Sequence, residues 1–157
     1  MIKIRILMHI PHWNAYCPQL PLNDVINPAK MMMQLAKYRS VSDVWQQFNN
    51  AYPFLRLDFY KYVHQKPGMM VKQKINHSTN LANAGILREG EVDISETTTV
   101  RQLEQKFITE FGLSVEVSRK SGKIWLQTTI SENWTLKQQN EHGRELSDTV
   151  ENSTPPG

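Results

Sequence analysis

The sequence predicts an α+β fold: a two-layer domain with an antiparallel-rich sheet and its main helices on one face, built from a duplicated helix-strand-turn-strand unit. Three observations carry that expectation. First, Val41-Ser42-Asp43-Val44-Trp45-Gln46-Gln47-Phe48 is echoed 59 residues later by Val100-Arg101-Gln102-Leu103-Glu104-Gln105-Lys106-Phe107. Second, each copy passes an aromatic and a breaker, Tyr52-Pro53 or Phe111-Gly112, into an alternating strand. Those strands, Leu55-Arg56-Leu57-Asp58-Phe59 and Leu113-Ser114-Val115-Glu116-Val117, are offset by 58. Third, turn signals follow at Pro67-Gly68 and Ser121-Gly122, and the chain returns from each.

Residues 1–39 read as an irregular arm. Pro11, Pro18, Pro21 and Pro28 crowd out a long helix or a central strand. Ile2, Ile4 and Ile6 alternate, but nothing sustains the pattern. Met31-Met32-Met33 stands just before the first unit, so translation starting there, with a mis-assigned extension upstream, is one interpretation. An arm docked on the domain is the other.

Residues 40–146 read as a single domain. Its first unit spans residues 40–75. Ser40 can accept a backbone N–H of the first helical turn, and Asp43 suits the positive end of the helix dipole. Val41, Val44, Trp45 and Phe48 recur at helical spacing, and Pro53 stops the helix. After the strand and the Pro67-Gly68 turn, Met69–Ile75 returns with Lys72 and Lys74 on one face and Met69, Val71 and Ile75 on the other. A polar connector, His77–Gly85, leads to a short strand at Glu91–Ser95.

The second unit spans residues 99–130. Thr99-Val100-Arg101-Gln102 reads as a capping box. Val100, Leu103, Phe107 and Phe111 form the apolar stripe, and Gly112 supplies a left-handed stop. The stretch from Ile94 through this helix to Val115 is long enough for a right-handed βαβ crossover. Ser121-Gly122 as a two-residue turn would pair Lys120 with Lys123, Val117 with Leu126 and Val115 with Thr128. That register turns Trp125 to the polar face, away from Leu113, Val115, Val117 and Leu126. A weakly amphipathic helix is expected at Thr135–His142. From Ser147 to Gly157 the chain is too polar to fold alone, so a disordered tail is expected.

Phe111-Gly112-Leu113 through Arg119-Lys120-Ser121-Gly122-Lys123-Ile124-Trp125-Leu126 resembles small bacterial α+β proteins of uncharacterised function. The resemblance covers mainly residues 111–145 and implies no activity.

Composition narrows the functional classes. The chain has no apolar run approaching the roughly 20 residues of a membrane span. A single cysteine, Cys17, forbids an internal disulfide and suits a reducing compartment, so a cytoplasmic location is expected. Charge is uneven: residues 1–80 carry ten Lys/Arg against three Asp, and residues 81–157 carry eight against twelve Asp/Glu. Such asymmetry marks either a basic face for polyanions or two ends that attract each other.

Candidate sites are few. His9, His12 and Cys17 lie close in sequence, but a closed zinc site needs four ligands and Pro11 keeps the histidines off one helix face. Glu89, Glu91 and Asp93 alternate as the wet face of a strand does. No nucleophile elbow, phosphate loop or paired CxxC is present. No catalytic residue, metal or cofactor is therefore expected, and the chain does not read as an enzyme. Lys61, Lys66, Lys72 and Lys74, with Arg56, Tyr60 and Tyr62, surround the first hairpin in a mixture suited to nucleic acid. Trp125 on a polar strand face suits an interface anchor, unless Trp134 and Leu136 cover it. The expected function is a non-catalytic interaction or regulatory module with a protein partner or self-association. The alternative is polyanion binding by the basic hairpin.

Overall fold

The computed structural model describes residues 30–152. The arm segment before Lys30, with His9, His12 and Cys17, and residues 153–157 lie outside it. In chain order the elements are β1 (Met32–Leu35), α1 (Val41–Ala51), β2 (Leu55–Lys66), β3 (Met69–Lys74), α2 (Leu81–Ala84), β4 (Gly90–Asp93), α3 (Val100–Phe111), β5 (Ser114–Ser121), β6 (Ile124–Gln127) and α4 (Leu136–Asn152). The fold is α+β. One sheet has the order β3-β2-β5-β6, and a second, two-stranded sheet joins β1 to β4. All the pairings are antiparallel.

Local chemistry sets the helix ends. Ser40 Oγ accepts the Asp43 N–H at 3.1 Å while the Asp43 carboxylate accepts the Ser40 N–H at 2.8 Å. The Ser40 backbone N–H, then the Ser40 hydroxyl and the nearby Arg39 charge, hold the Asp43 carboxyl below the usual range. Thr99 and Gln102 repeat the box at α3, at 3.2 and 2.9 Å. Gly112 ends α3 with φ of +69°, a conformation that β-carbon-bearing residues resist.

The apolar stripes then build the core. Val41, Val44 and Phe48 of α1, and Val100, Leu103, Phe107 and Phe111 of α3, are buried against Leu55, Leu57, Phe59, Val115 and Val117 of the larger sheet. Phe107 meets Phe59 edge-on at 5.7 Å, a favoured aromatic geometry. Trp45 is half-buried rather than central, its indole edge-on to His77 at 5.6 Å.

Four expectations are corrected. The arm contributes a strand, β1, whose Met33 and Leu35 are fully buried. It captures β4, with Met33 opposite Val92, so β4 never enters the sheet of β5 and there is no βαβ crossover. Three adjacent methionines conceal this alternation, since the outward Met32 is as apolar as its inward neighbour.

The second hairpin turns at Gly122-Lys123, with Ser121 opposite Ile124. Gly122 has φ of +58° and occupies the first central position, where positive φ is needed. Every partner therefore moves by two residues, and Leu126 faces Arg119 instead of Val117. A two-residue shift keeps each side chain on its expected face.

Finally, α4 continues to Asn152, so residues 147–152 of the expected tail are helical. Its buried stripe is Leu136, Gln139, Gly143 and Ser147, at helical spacing but nearly without hydrophobic residues. Gly143 allows a very close approach: a β-carbon there would lie 2.9 Å from Phe54 Cβ and 3.0 Å from Arg119 Cγ. Gln139 accepts from Arg119 at 2.7 Å and donates to the Ser131 carbonyl at 2.7 Å. Ser147 donates back to the Gly143 carbonyl at 2.8 Å. Polar satisfaction and close packing hold this helix where apolar burial does not.

The same backbone contacts occur at matching places in both halves. The N–H groups of Val41 and Val100 donate to the carbonyls of Thr79 and Trp134. Those of Leu81 and Leu136 donate to Arg39 and Thr98. At the centre of the larger sheet Asp58 sits opposite Glu116, residues related by the strand offset of 58. Met33 and Val92, paired in the smaller sheet, are related by the helix offset of 59.

Candidate interaction surface

Strand alternation separates the larger sheet into two unlike faces. Leu55, Leu57 and Phe59 of β2 turn toward the helices, so Arg56, Asp58, Tyr60 and Tyr62 turn away. Register places Ser114, Glu116, Ser118 and Lys120 of β5 beside them, Lys72 and Lys74 of β3 on one flank, and Trp125 and Gln127 of β6 on the other. Helices α1, α3 and α4 pack on the opposite face.

The outward face is a connected polar and aromatic surface. Asp58 lies at its centre with its side chain 1% exposed, 2.8 Å from Arg56 Nε and 2.7 Å from Lys74 Nζ. Two cations thus offset the desolvation of one buried carboxylate. Lys72 pairs with Glu116 and also lies over the Tyr60 ring at 4.3 Å. Gln127 Nε2 donates to Glu116 at 3.3 Å. Burial, then the nearby Asp58 and Glu116 charges, push the Tyr60 phenol above its ordinary range. The Arg56 guanidinium lies 4.9 Å from the centre of the Trp125 ring, a cation–π stack at the sheet edge.

Of the residues singled out in the sequence, Arg56, Tyr60, Lys72, Lys74 and Trp125 share this face. Lys61 does not; it pairs with Gln73 on the opposite face of the hairpin. Lys66 lies beside the turn, after a break in register between His64 and Lys66. The basic cluster is also less bare than its composition suggests, because Arg56, Lys72 and Lys74 already meet carboxylates. Asp58 and Glu116 escaped selection as site residues, although their alternation with Leu57 and Val115 places them there. Trp134 and Leu136 do not cover Trp125: Leu136 belongs to the core. Trp134 sits under Arg119 at 6.0 Å and edge-on to His142 at 5.5 Å, on the helix side. Trp125 itself is half-buried.

Where β6 ends, a cavity of about 130 Å³ is lined by Glu104, Glu116 and Glu132 with Val117 and Thr128. Glu104 accepts the Val117 N–H at 2.9 Å, filling a place that a longer β6 would have taken. Burial pushes its carboxyl above the ordinary range despite that bond. Arg101 pairs with Glu132 as Lys72 does with Glu116. Among the described residues no group of three or more His, Cys, Asp or Glu side chains is arranged to hold a metal ion. None of their helices is long and apolar enough to cross a membrane.

Compared with known proteins, the chain matches no family model, no curated protein and no solved structure.

Proposed function

We propose that the domain is a non-catalytic interaction module that docks a protein partner on the outward face of its four-stranded sheet, in the cytoplasm. One observation carries this reading: the Arg56–Trp125 stack stands on a sheet face that helices α1, α3 and α4 leave uncovered. Tryptophan and arginine are the side chains that most often anchor interfaces, because each offers a large apolar surface together with a polar edge. The carboxylates behind them are neutralised by Arg56, Lys72 and Lys74, which favours a fixed recognition surface over proton transfer.

The two halves are, on this account, copies of one helix-strand-turn-strand unit at residues 40–75 and 99–130, and the matching caps and bridges support that. The duplication fails if those two backbones cannot be superposed.

Affinity capture from native lysate, with and without nuclease, tests the interaction. A partner that survives nuclease and is lost from Trp125→Ala bait supports the docking face. Capture unchanged by Trp125→Ala would refute it. Recovery of a second copy of the chain alone would replace an outside partner with self-association.

A further inference from the structure

We propose that the β2–β3 hairpin beyond Tyr60 is an arm that enters the major groove of duplex DNA. Among the described residues, β2 pairs with β5 from Leu55 to Tyr60 and with β3 from Tyr60 to Lys66, so beyond Tyr60 it has β3 alone beside it. What projects is a two-stranded ribbon with little core of its own. Such a ribbon is marginally stable in isolation. Tyr62 and Met70 on it are each 56% exposed and Met69 is 49% exposed, although all three are large and apolar.

Charge identifies the occupant. No Asp or Glu occurs from Phe59 through Arg88. Lys61 extends from one face of the ribbon, His64, whose ring N–H can donate to a phosphate oxygen, extends from the other, and Lys66 stands beside the Pro67-Gly68 tip, while Lys72 is engaged by Glu116. An acidic patch on a protein would meet one of these faces. A groove has phosphates on both walls, so it meets both at once. Asp58 and Glu116 at the base of the arm are already held by cations, which limits their repulsion of phosphate.

The dimensions agree. Two strands lie about 4.8 Å apart, and the six residues Lys61–Lys66 span roughly 20 Å. The major groove of B-DNA, about 12 Å wide, admits a two-stranded ribbon, and thymine methyls on its floor suit apolar contacts from Met69 and Met70. The major groove of A-form RNA is too narrow to be read this way.

Fluorescence anisotropy with the full chain and a labelled DNA duplex of roughly 25 base pairs tests the proposal. Two phosphate contacts, from Lys61 and Lys66, predict a log–log salt slope near −1.8, hence an affinity loss of about 12-fold from 50 to 200 mM salt. Lys61→Gln with Lys66→Gln should weaken binding to all sequences alike and make the slope shallower by about 2. These side chains are exposed, so the melting temperature should not move, and Arg144→Gln on α4 controls for loss of charge elsewhere. No binding at 50 mM salt, or the same loss in Arg144→Gln as in the double variant, would overturn the proposal. Equal affinity for single-stranded DNA or duplex RNA, or equal competition by poly-glutamate, would also overturn it. Anisotropy reads the arm and protein capture reads the sheet face, so the two surfaces fail or succeed separately.

Discussion

Replacing Trp125 by alanine separates an open sheet face from a covered one. Full burial of a large apolar side chain stabilises by about 1.5–3 kcal/mol. The half-buried Trp125 should supply about 1–1.5 kcal/mol of that, and its stack with Arg56 about 0.5–1 kcal/mol more. A cavity contribution is not expected, because the edge strand opens to solvent and water fills the space. Trp125→Ala should therefore cost about 1.5–2.5 kcal/mol, read as a lower urea midpoint at unchanged slope. Combining it with Arg56→Ala should reveal a coupling of about 0.5–1 kcal/mol, since Asp58 is present in every arm of the cycle and cancels. A loss of 4 kcal/mol or more, in the range of a core aromatic at about 3–5 kcal/mol, would mean that something covers this face. Zero coupling would mean that the stack does not exist in solution.

Three further outcomes follow from the packing. Phe107→Ala should cost about 3–5 kcal/mol in the same assay, because it empties a fully buried site against Phe59 and Phe111. A cost below about 1 kcal/mol would contradict helices packed on the sheet. Thr99→Ala and Ser40→Ala should each cost about 1 kcal/mol and add when combined, being separate caps. Tyr52 is buried and donates to the Ile94 carbonyl at 2.6 Å, and burial, then Glu96 and Asp93, push its phenol up to about 12. The folded state therefore holds this proton more tightly than the unfolded state does. The resulting stability, about 2–3 kcal/mol, is whole below pH ~10 and is lost as pH rises toward ~12. The advantage of the wild type over Tyr52→Phe should shrink across that window; an advantage independent of pH would contradict the burial.

Where side-chain period and side-chain chemistry agree, the fold is legible in the sequence. The stripes of α1 and α3, the Ser40 and Thr99 caps and the Gly112 stop all follow from local rules, and alternation turns Trp125 to the polar face of its hairpin before any packing is known. The failures have physical causes of the same kind. In β1, apolar residues point both ways and erase the period. In α4, Gln139, Gly143 and Ser147 are buried by hydrogen bonding and close approach, which hydropathy does not register. The second hairpin's partners moved by two because either Ser121-Gly122 or Gly122-Lys123 could close the turn, and positive φ at the first position decided it. The candidate surface was half visible for a related reason. Lysines count as charges in a sequence, whereas their pairing with Asp58 and Glu116 depends on cross-strand register.

The docking face itself is tested most directly by photocrosslinking in cells. A photoreactive residue placed at Gln127, beside Trp125, should capture a protein, and the adduct should disappear when Trp125→Ala is added. The same probe at Ile108, which is 54% exposed on α3, should capture none. Equal adducts at both positions, a Gln127 adduct indifferent to Trp125, or no adduct at Gln127 would contradict the assignment of this sheet face as the interaction surface.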